Sequence, residues 1–406
     1  MDQKKKIVFI WNYLNWGGAQ IYFLAIIKAA RPEWDVLVIL PRESSKVMIG
    51  FLEELNITYE LSDHPIDLSP ASGPVNKIQR QIKRIISEFA MLRRIVRSDK
   101  KKTIFHIEIA PWQSWIFLTA VNLVNAKTVV TMHNIMPFVS TLRQLIWKIR
   151  MQVISHLKGF RIIASNNDTK ERLAPFVTKT FWQKIVVAPT AVDPMAIDLI
   201  YNSLIERDVI RKNYDIDPDD FTVLAVGQFV DRKGRWVFMD AAKKLKTENT
   251  DIQFMWLTPV MPSASDLEKI EEYDLNNSFK LILSENVGSE RADVLNFFRI
   301  ADVFALPSFI EGLPIALLEA MSLGIPSIST NVFAIPEAVK NNKTGLLIEA
   351  GDADGLAGSI LKFKNDMQLR LSIAENGRKY VLENFNEQDS AEKVISVYKE
   401  LLLETK

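Results

Sequence analysis

Two carboxylates bracket one short apolar stretch: Glu311 and Glu319 in SFIEGLPIALLEAMSLG, residues 308–324. The pattern predicts a strand over 303–306, a loop over 307–313, a helix over 314–323 and a second strand over 326–329. Pro314 sits where a first-turn proline belongs, and Gly324 where a helix stops. The helix is apolar on nearly every side, from Ile315 and Leu317 to Met321 and Leu323, so it is expected to be buried. Within it, the residues three and four positions from Glu319 are Ile315, Ala316, Ser322 and Leu323, none of them a cation. A buried carboxylate without a partner costs several kcal/mol or gives up its charge. Glu319 must therefore reach solvent, meet a distant arginine, or accept hydrogen bonds from a ligand, such as the adjacent hydroxyls of a sugar. Glu311 favours the last reading. It precedes the helix N-terminus, where free N–H groups and the helix dipole attract anions. The helix tip would hold a phosphate, and a carboxylate on each side would read hydroxyls.

A second group lies in VGQFVDRKGR, where Arg232, Lys233 and Arg235 fall between a strand and the start of a helix. Cations at that end oppose the dipole by roughly 0.3–1 kcal/mol each. An exposed turn would explain one of them; three point to a phosphate bound between cations and helix. Gly17 and Gly18 follow the first strand and open a helix, either as a tight turn or to let a ligand approach the backbone. His133 ends the strand in TVVTMHNIMP, a place that serves packing or chemistry about equally well. The four histidines show no metal-ligand spacing, and there is no cysteine, no GxGxxG and no Walker loop. Asp217/Asp219 and Asp352/Asp354 spell D-x-D, but each pair precedes an element and reads as a turn or cap.

The elements that must position these residues alternate strand and helix. Strands are expected over 6–11, 35–41, 57–61, 103–109, 127–133, 161–165 and 184–189, with a turn-rich loop over 62–75. The pattern restarts at Phe221, with strands over 221–227, 252–257, 279–283, 303–306, 326–330 and 344–349, and the chain ends mostly helical. Such alternation implies parallel sheets covered on both faces, and 406 residues suit two domains better than one core. The fold class is α/β, with two doubly wound domains. Net charge is +1 overall, yet residues 1–195 carry 27 Lys+Arg against 15 Asp+Glu and the remainder 23 against 34. The basic half suits anionic surfaces. The helix expected over 76–98 carries Ile78, Ile82, Ile85, Phe89, Leu92 and Val96 on a stripe expected to pack on the core. Its cations lie off that stripe and continue into Lys100–Lys102, so residues 76–102 could touch acidic lipid or a pyrophosphate-linked acceptor. Nucleic acid is disfavoured, because no aromatics interleave the charge. The absence of cysteine fits a reducing interior. The first strand leaves no signal-peptide pattern, and no apolar run is long enough to cross a membrane.

ADVFALPS, EGLPIALLEAMSLGIPSIST, IPEAV and NKTGLLIEAGD resemble, in order and spacing, the retaining GT-B glycosyltransferases of the large family four. Glu311 and Glu319 match its E-x7-E pair, Lys233 its loop lysine, NWGGAQ its Gly-Gly loop, and His133 its histidine. The resemblance is strong over 220–385 and looser over 1–195. It implies two Rossmann-like domains facing a cleft, with an acceptor-side domain over 1–195 and a donor domain over 196–385. A crossover helix over 386–406 would return to the first domain. The donor would be a nucleotide-diphosphate sugar, with no metal and no other cofactor, and the acceptor a glycan or lipid-linked sugar at the cytoplasmic face of a membrane. Glu319 would bind the ribose diol, Glu311 the donor sugar, and Lys233 the pyrophosphate together with N–H groups at Leu313, Ile315 and Ala316. Ser284 and Glu285 would lie at the base, Gln228 at the phosphates, and His133, Gly17 and Gly18 across the cleft; Glu311, His133 and Lys233 are the expected catalytic set. Four departures stand out: Gln228 for arginine, Phe333-Ala334 for Gly-Gly, Thr190-Ala191 for Asn-Gly, and Gln20 for glutamate. They leave open a non-catalytic GT-B partner or a nucleotide-sugar-binding subunit.

Overall fold

The structure, a computed structural model, describes residues 4–404 apart from 13, 15, 16, 64–73, 134, 135, 138, 249–251 and 289. Most of the loop expected over 62–75 therefore lies outside the described residues. The chain forms two compact units, Met1–Pro189 with Gln388–Lys406, and Thr190–Glu387.

In the first unit β1 (Lys5–Ile10), α1 (Gly18–Ala30), β2 (Trp34–Pro41), α2 (Lys46–Glu54) and β3 (Thr58–Ser62) form the first run. A long α3 (Pro74–Arg97) then leads to β4 (Thr103–Ile107), α4 (Trp115–Leu123), β5 (Lys127–Met132), α5 (Thr141–Ile154) and β6 (Phe160–Ala164). Two short helices, α6 (Asn167–Leu173) and α7 (Lys179–Gln183), precede β7, which shrinks to Val186–Val187. All pairings are parallel, in the order β3-β2-β1-β4-β5-β6-β7. Along β1, Ile7 and Phe9 enter one core with α1 and α2, while Val8 and Ile10 enter another with α3, α4 and α5. Period-two burial on both faces is what a helix-covered parallel sheet requires.

The second unit begins with α8 (Pro194–Tyr201) and α9 (Arg207–Lys212), followed by β8 (Phe221–Val226) and α10 (Arg235–Glu248). It continues through β9 (Ile252–Thr258), α11 (Ala264–Glu272), β10 (Phe279–Leu283), α12 (Arg291–Phe298), β11 (Val303–Leu306) and α13 (Ile315–Ser322). After β12 (Ser327–Thr330) come α14 (Ile335–Ala338), β13 (Leu346–Ile348), α15 (Ala353–Asn365) and α16 (Met367–Asn384). This sheet is also parallel, in the order β10-β9-β8-β11-β12-β13. Asp302 ties the amino ends of β8 and β11, accepting from Thr222 N at 2.8 Å and from the buried Arg211 guanidinium at 2.7 Å. Asp352 caps α15 by accepting from Gly355 N at 2.8 Å, and Asp217 accepts from Asp219 N at 3.0 Å, as cap and turn.

The stripe of α3 expected to face the core does not do so. Ile78, Ile82, Ile85, Phe89 and Val96 are exposed, and Met91, Ile95 and Ser87 are buried instead. Two things explain this: 24 residues of helix run about 36 Å whereas the five residues of β4 span only about 17 Å, so Ile78, Ile82 and Ile85 precede the covered part, and where the helix is covered it turns Ser87, Met91 and Ile95 inward and leaves Phe89 and Val96 outside. The helix outruns the sheet it covers.

The last helix, α17 (Glu387–Leu403), packs Ala391, Val394, Val397, Tyr398 and Leu401 into the first unit's core. The Tyr398 hydroxyl lies 2.5 Å from His106 Nδ1, and Thr131 Oγ1 lies 2.8 Å from His106 Nε2, all buried. Burial drives the His106 imidazole down to about 3 and that of His133 to about 4. Both are neutral in the folded protein. The unfolded chain takes up those protons near pH 6.5, so stability is lost as pH falls from there toward 4. We expect the urea midpoint to drop between pH 7 and pH 5, with a slope approaching 1.4 kcal/mol per pH unit for each histidine. His133→Gln should remove about half of that slope; a level midpoint down to pH 5 would contradict neutral burial.

Candidate active site

Strand order in the second sheet reverses between β8 and β11: the chain passes outward from β8 through β9 to β10, then returns to lay β11 on the other side of β8. The loops leaving two such strands diverge to opposite faces, opening a crevice at their carboxyl ends where ligands bind in open α/β sheets. Here the two loops also touch. Phe309 N donates to Arg232 O at 2.8 Å. Gly234 has φ +72°, and a Cβ there would lie 1.8 Å from Pro307 O. Only glycine satisfies both the left-handed backbone and the close approach.

That crossing brings Lys233 onto Glu311, with Nζ 2.5 Å from Oε1 and both side chains nearly buried. Ser308 Oγ donates to the same carboxylate at 3.0 Å, and the Arg232 guanidinium stands 3.9 Å away, half exposed. Ser308 is fixed in turn by Thr330 Oγ1, which donates to its carbonyl at 2.6 Å from the end of β12. Arg232, Lys233 and Glu311 together leave one net positive charge. Above them α13 opens after Pro314, and its first intrahelical bond runs from Leu317 N to Pro314 O at 3.1 Å. The N–H groups of Ile315 and Ala316 precede that bond and have no acceptor within the helix.

Two expectations are corrected by this geometry. Arg235 is not part of an open anion cluster: its guanidinium pairs with Asp231 at 2.9 Å and Asp266 at 2.8 Å, and it stacks on Trp236. Its charge is spent on holding the turn. Glu319 does not lack a cation either, because Arg291, on the first turn of α12, forms an ion pair with its Oε1. Desolvation draws the Arg291 guanidinium down to about 10, against the pull of Glu387, so it stays charged at neutral pH. No local spacing announces this pair, since α12 and α13 are separated by β11. Arg291, Ser308 and Thr330 are the residues that reading the sequence did not single out.

Ser284 and Glu285 form a helical turn after β10, two strands from β8 and so about 10 Å along the same edge. Gln228 and Leu313 lie in the two crossing loops, half-buried and buried. Phe333 follows β12 in the left-handed region at φ +47°, a conformation that costs a bulky residue energy. In the first unit, Gly17 caps α1 in an extended conformation and Gly18 begins the helix. His133 follows β5 and meets Tyr22 and Phe23 of α1 edge-on at 5.1 and 5.4 Å, which gathers all three at one sheet edge. Its Nε2 is buried and accepts or donates no hydrogen bond among the described residues.

With this arrangement in view, comparison with known proteins places the second unit. Residues 206–380 match the family model of glycosyl transferases group 1. Both units together have the GT-B fold: over 97% of this chain and 99% of the other, the structure superposes on Anabaena Alr3699/HepE in complex with UDP and glucose, with TM-score 0.77 and 17% identity. Among curated relatives, an Escherichia coli UDP-Gal:alpha-D-GlcNAc-diphosphoundecaprenol alpha-1,3-galactosyltransferase is 28% identical over 60% of this chain and 61% of its own length. The capsular polysaccharide biosynthesis glycosyltransferase CapM of Staphylococcus aureus is 30% identical over 48% of this chain and 50% of its own. The matched stretches thus span between half and two thirds of those proteins.

The crossing loops generate a paired expectation. Gly234→Ala should lower stability by about 2 kcal/mol or more. Gly17→Ala should leave it within about 0.5 kcal/mol, since its extended backbone accepts alanine and, among the described residues, a Cβ there would meet only Gln20 Oε1, at 3.5 Å. Urea denaturation of the two variants checks this, and equal losses would contradict the close approach at Pro307.

Proposed function

We propose that the protein is a retaining, metal-independent glycosyltransferase that moves a sugar from a nucleotide-diphosphate donor to a glycan or lipid-linked acceptor in cell-surface polysaccharide assembly. The observation that carries the reading is the Lys233–Glu311 contact at the switch point of the second sheet, beneath the open N-terminus of α13. The polysaccharide class follows the relatives' names.

In this reading Lys233 exchanges partners. The donor diphosphate would lie against the N–H groups of Leu313, Ile315 and Ala316 and draw Lys233 and Arg232 away from Glu311. Glu311 would then be free to accept hydrogen bonds from the donor sugar. Fixed donors around a departing diphosphate suit a reaction whose main task is to stabilise the charge of the leaving group. Attack from the same face as departure, through an oxocarbenium-like state, would retain configuration. Glu319 would accept the ribose hydroxyls on its second oxygen while Arg291 holds the first. Gln228 would contribute a neutral donor at the phosphates, and Ser284 and Glu285, farther along the edge, would border the base. In the first unit, Gly17 leaves room at the backbone where Gly18 opens α1, and the neutral His133 offers a hydrogen bond rather than a charge.

A second reading has its own support. The Arg291–Glu319 pair and Gln228 suit a nucleotide-sugar-binding subunit without turnover, in which the ion pair is purely structural.

A thermal-shift screen over UDP-, GDP- and ADP-sugars, with the UDP-sugars first, supplies the donor for the tests. Lys233→Ala should then weaken nucleotide binding about tenfold or more. Glu311→Gln should bind the nucleotide at least as well as the wild type, having lost the competitor for Lys233, while sugar turnover falls on the order of a hundredfold or more. Glu319→Gln should weaken the nucleotide about tenfold, with Arg291→Met showing how much of any change in stability belongs to the ion pair. Nucleotide affinity unchanged in Glu319→Gln would remove the ribose role, and tight donor binding with no turnover in the wild type would favour the subunit reading.

A further inference from the structure

The misplaced stripe of α3 is one part of a larger surface. α3 packs against α4, and α4 against α5, so the three helices stand side by side on one face of the first sheet. On that face Ile82, Ile85 and Phe89 of α3 are 53%, 61% and 67% exposed, and Leu142, Leu145 and Ile149 of α5 are 70%, 54% and 58% exposed. Ile116 of α4 joins them at 66%. Single exposed apolar residues are ordinary, but a set shared by adjacent helices marks an interaction surface.

Charge selects the partner. Residues 74–158 contain 15 Lys+Arg and three acids. Of those acids Glu108 is buried and Glu88 lies 3.7 Å from Arg84, which leaves Asp99 as the exposed one. Lys83 sits beside Ile82, Arg143 beside Leu142 and Lys148 beside Ile149, all exposed. Long cationic side chains next to inserted apolar ones reach anionic headgroups while their neighbours enter the acyl boundary. A second copy of the same face would bring like charges together. No helix among the described residues is long and apolar enough to cross a membrane, so the contact would be interfacial.

We infer that α3, α4 and α5 form a lipid-docking face by which the first unit sits on an anionic bilayer. Topology orients it. Each of the three helices follows a strand of the parallel sheet and so begins at its carboxyl edge, the edge that carries Gly17, Gly18 and His133. The exposed apolar residues of α3 concentrate toward that beginning. Docking stands on this surface alone; its use in reaching a lipid-linked acceptor rests on the transferase reading.

Flotation of the full chain with vesicles of phosphatidylcholine, with and without phosphatidylglycerol, tests docking without any nucleotide sugar present. Its failure is therefore separate from failure of the donor site. We expect binding to the anionic vesicles alone, weakening as salt rises. The double variants Ile82→Ser/Phe89→Ser and Lys83→Glu/Lys148→Glu should each bind about tenfold or more weakly, with unchanged unfolding midpoints because all four residues are exposed. Equal binding to both vesicle types, no binding to either, or serine-variant binding equal to wild type would overturn the inference. So would a wild-type dimer in sedimentation that the serine variant loses, which would assign the face to a second copy.

Discussion

Two loops that leave neighbouring strands in opposite directions are pinned together at one point, and the candidate site depends on that pin. Gly234 admits the Pro307 carbonyl where any side chain would stand, and Phe309 N donates to Arg232 O beside it. Without that approach, Lys233 would ride on the β8 loop and Glu311 on the β11 loop with nothing holding them in contact. The sheet's change of strand order makes the crevice, the glycine lets the loops cross inside it, and α13 supplies an end with unsatisfied N–H groups.

A consequence is that neither buried carboxylate stands alone. Glu311 has Lys233, Arg232 and Ser308, and Glu319 has Arg291. A carboxylate removed from water needs such partners to remain ionised. The partners differ in kind, though. Lys233 is a single flexible ammonium at a loop, able to turn toward another anion, whereas Arg291 is fixed in the first turn of a helix that packs on the core. In the proposed reading, that difference gives exchange to the first pair and a fixed orientation to the second.

The strands were legible because apolar runs of four to eight residues between turn signals leave little choice, and most fall within two residues of where the sequence puts them. β7 is the exception: an edge strand needs few pairings, and only Val186 and Val187 make them. The helix α4 was not singled out, because it carries apolar residues on its exposed side, Ile116 and Leu123, as well as on its buried one, Phe117, Leu118 and Val121, which blurs the periodicity. The face of α3 was misread because an amphipathic stripe tells that a helix has an apolar side, not that the sheet is long enough to cover it, nor that the helix turns that side inward: Met91 and Ile95 are buried where Phe89 and Val96 are exposed. At the site, Lys233 and Glu311 could be picked out by type and position, and their contact could not. The Arg291–Glu319 pair joins side chains from helices separated by a strand, and the Arg235–Asp266 pair likewise depends on where α11 packs.

The proposal that a diphosphate lies between the two loops and the tip of α13 is tested most directly by amide hydrogen exchange with and without UDP. Protection should appear in 227–235 and 312–317, and hardly elsewhere in the second unit except near Ser284. Protection confined to other segments, or none at saturating UDP, would contradict the account.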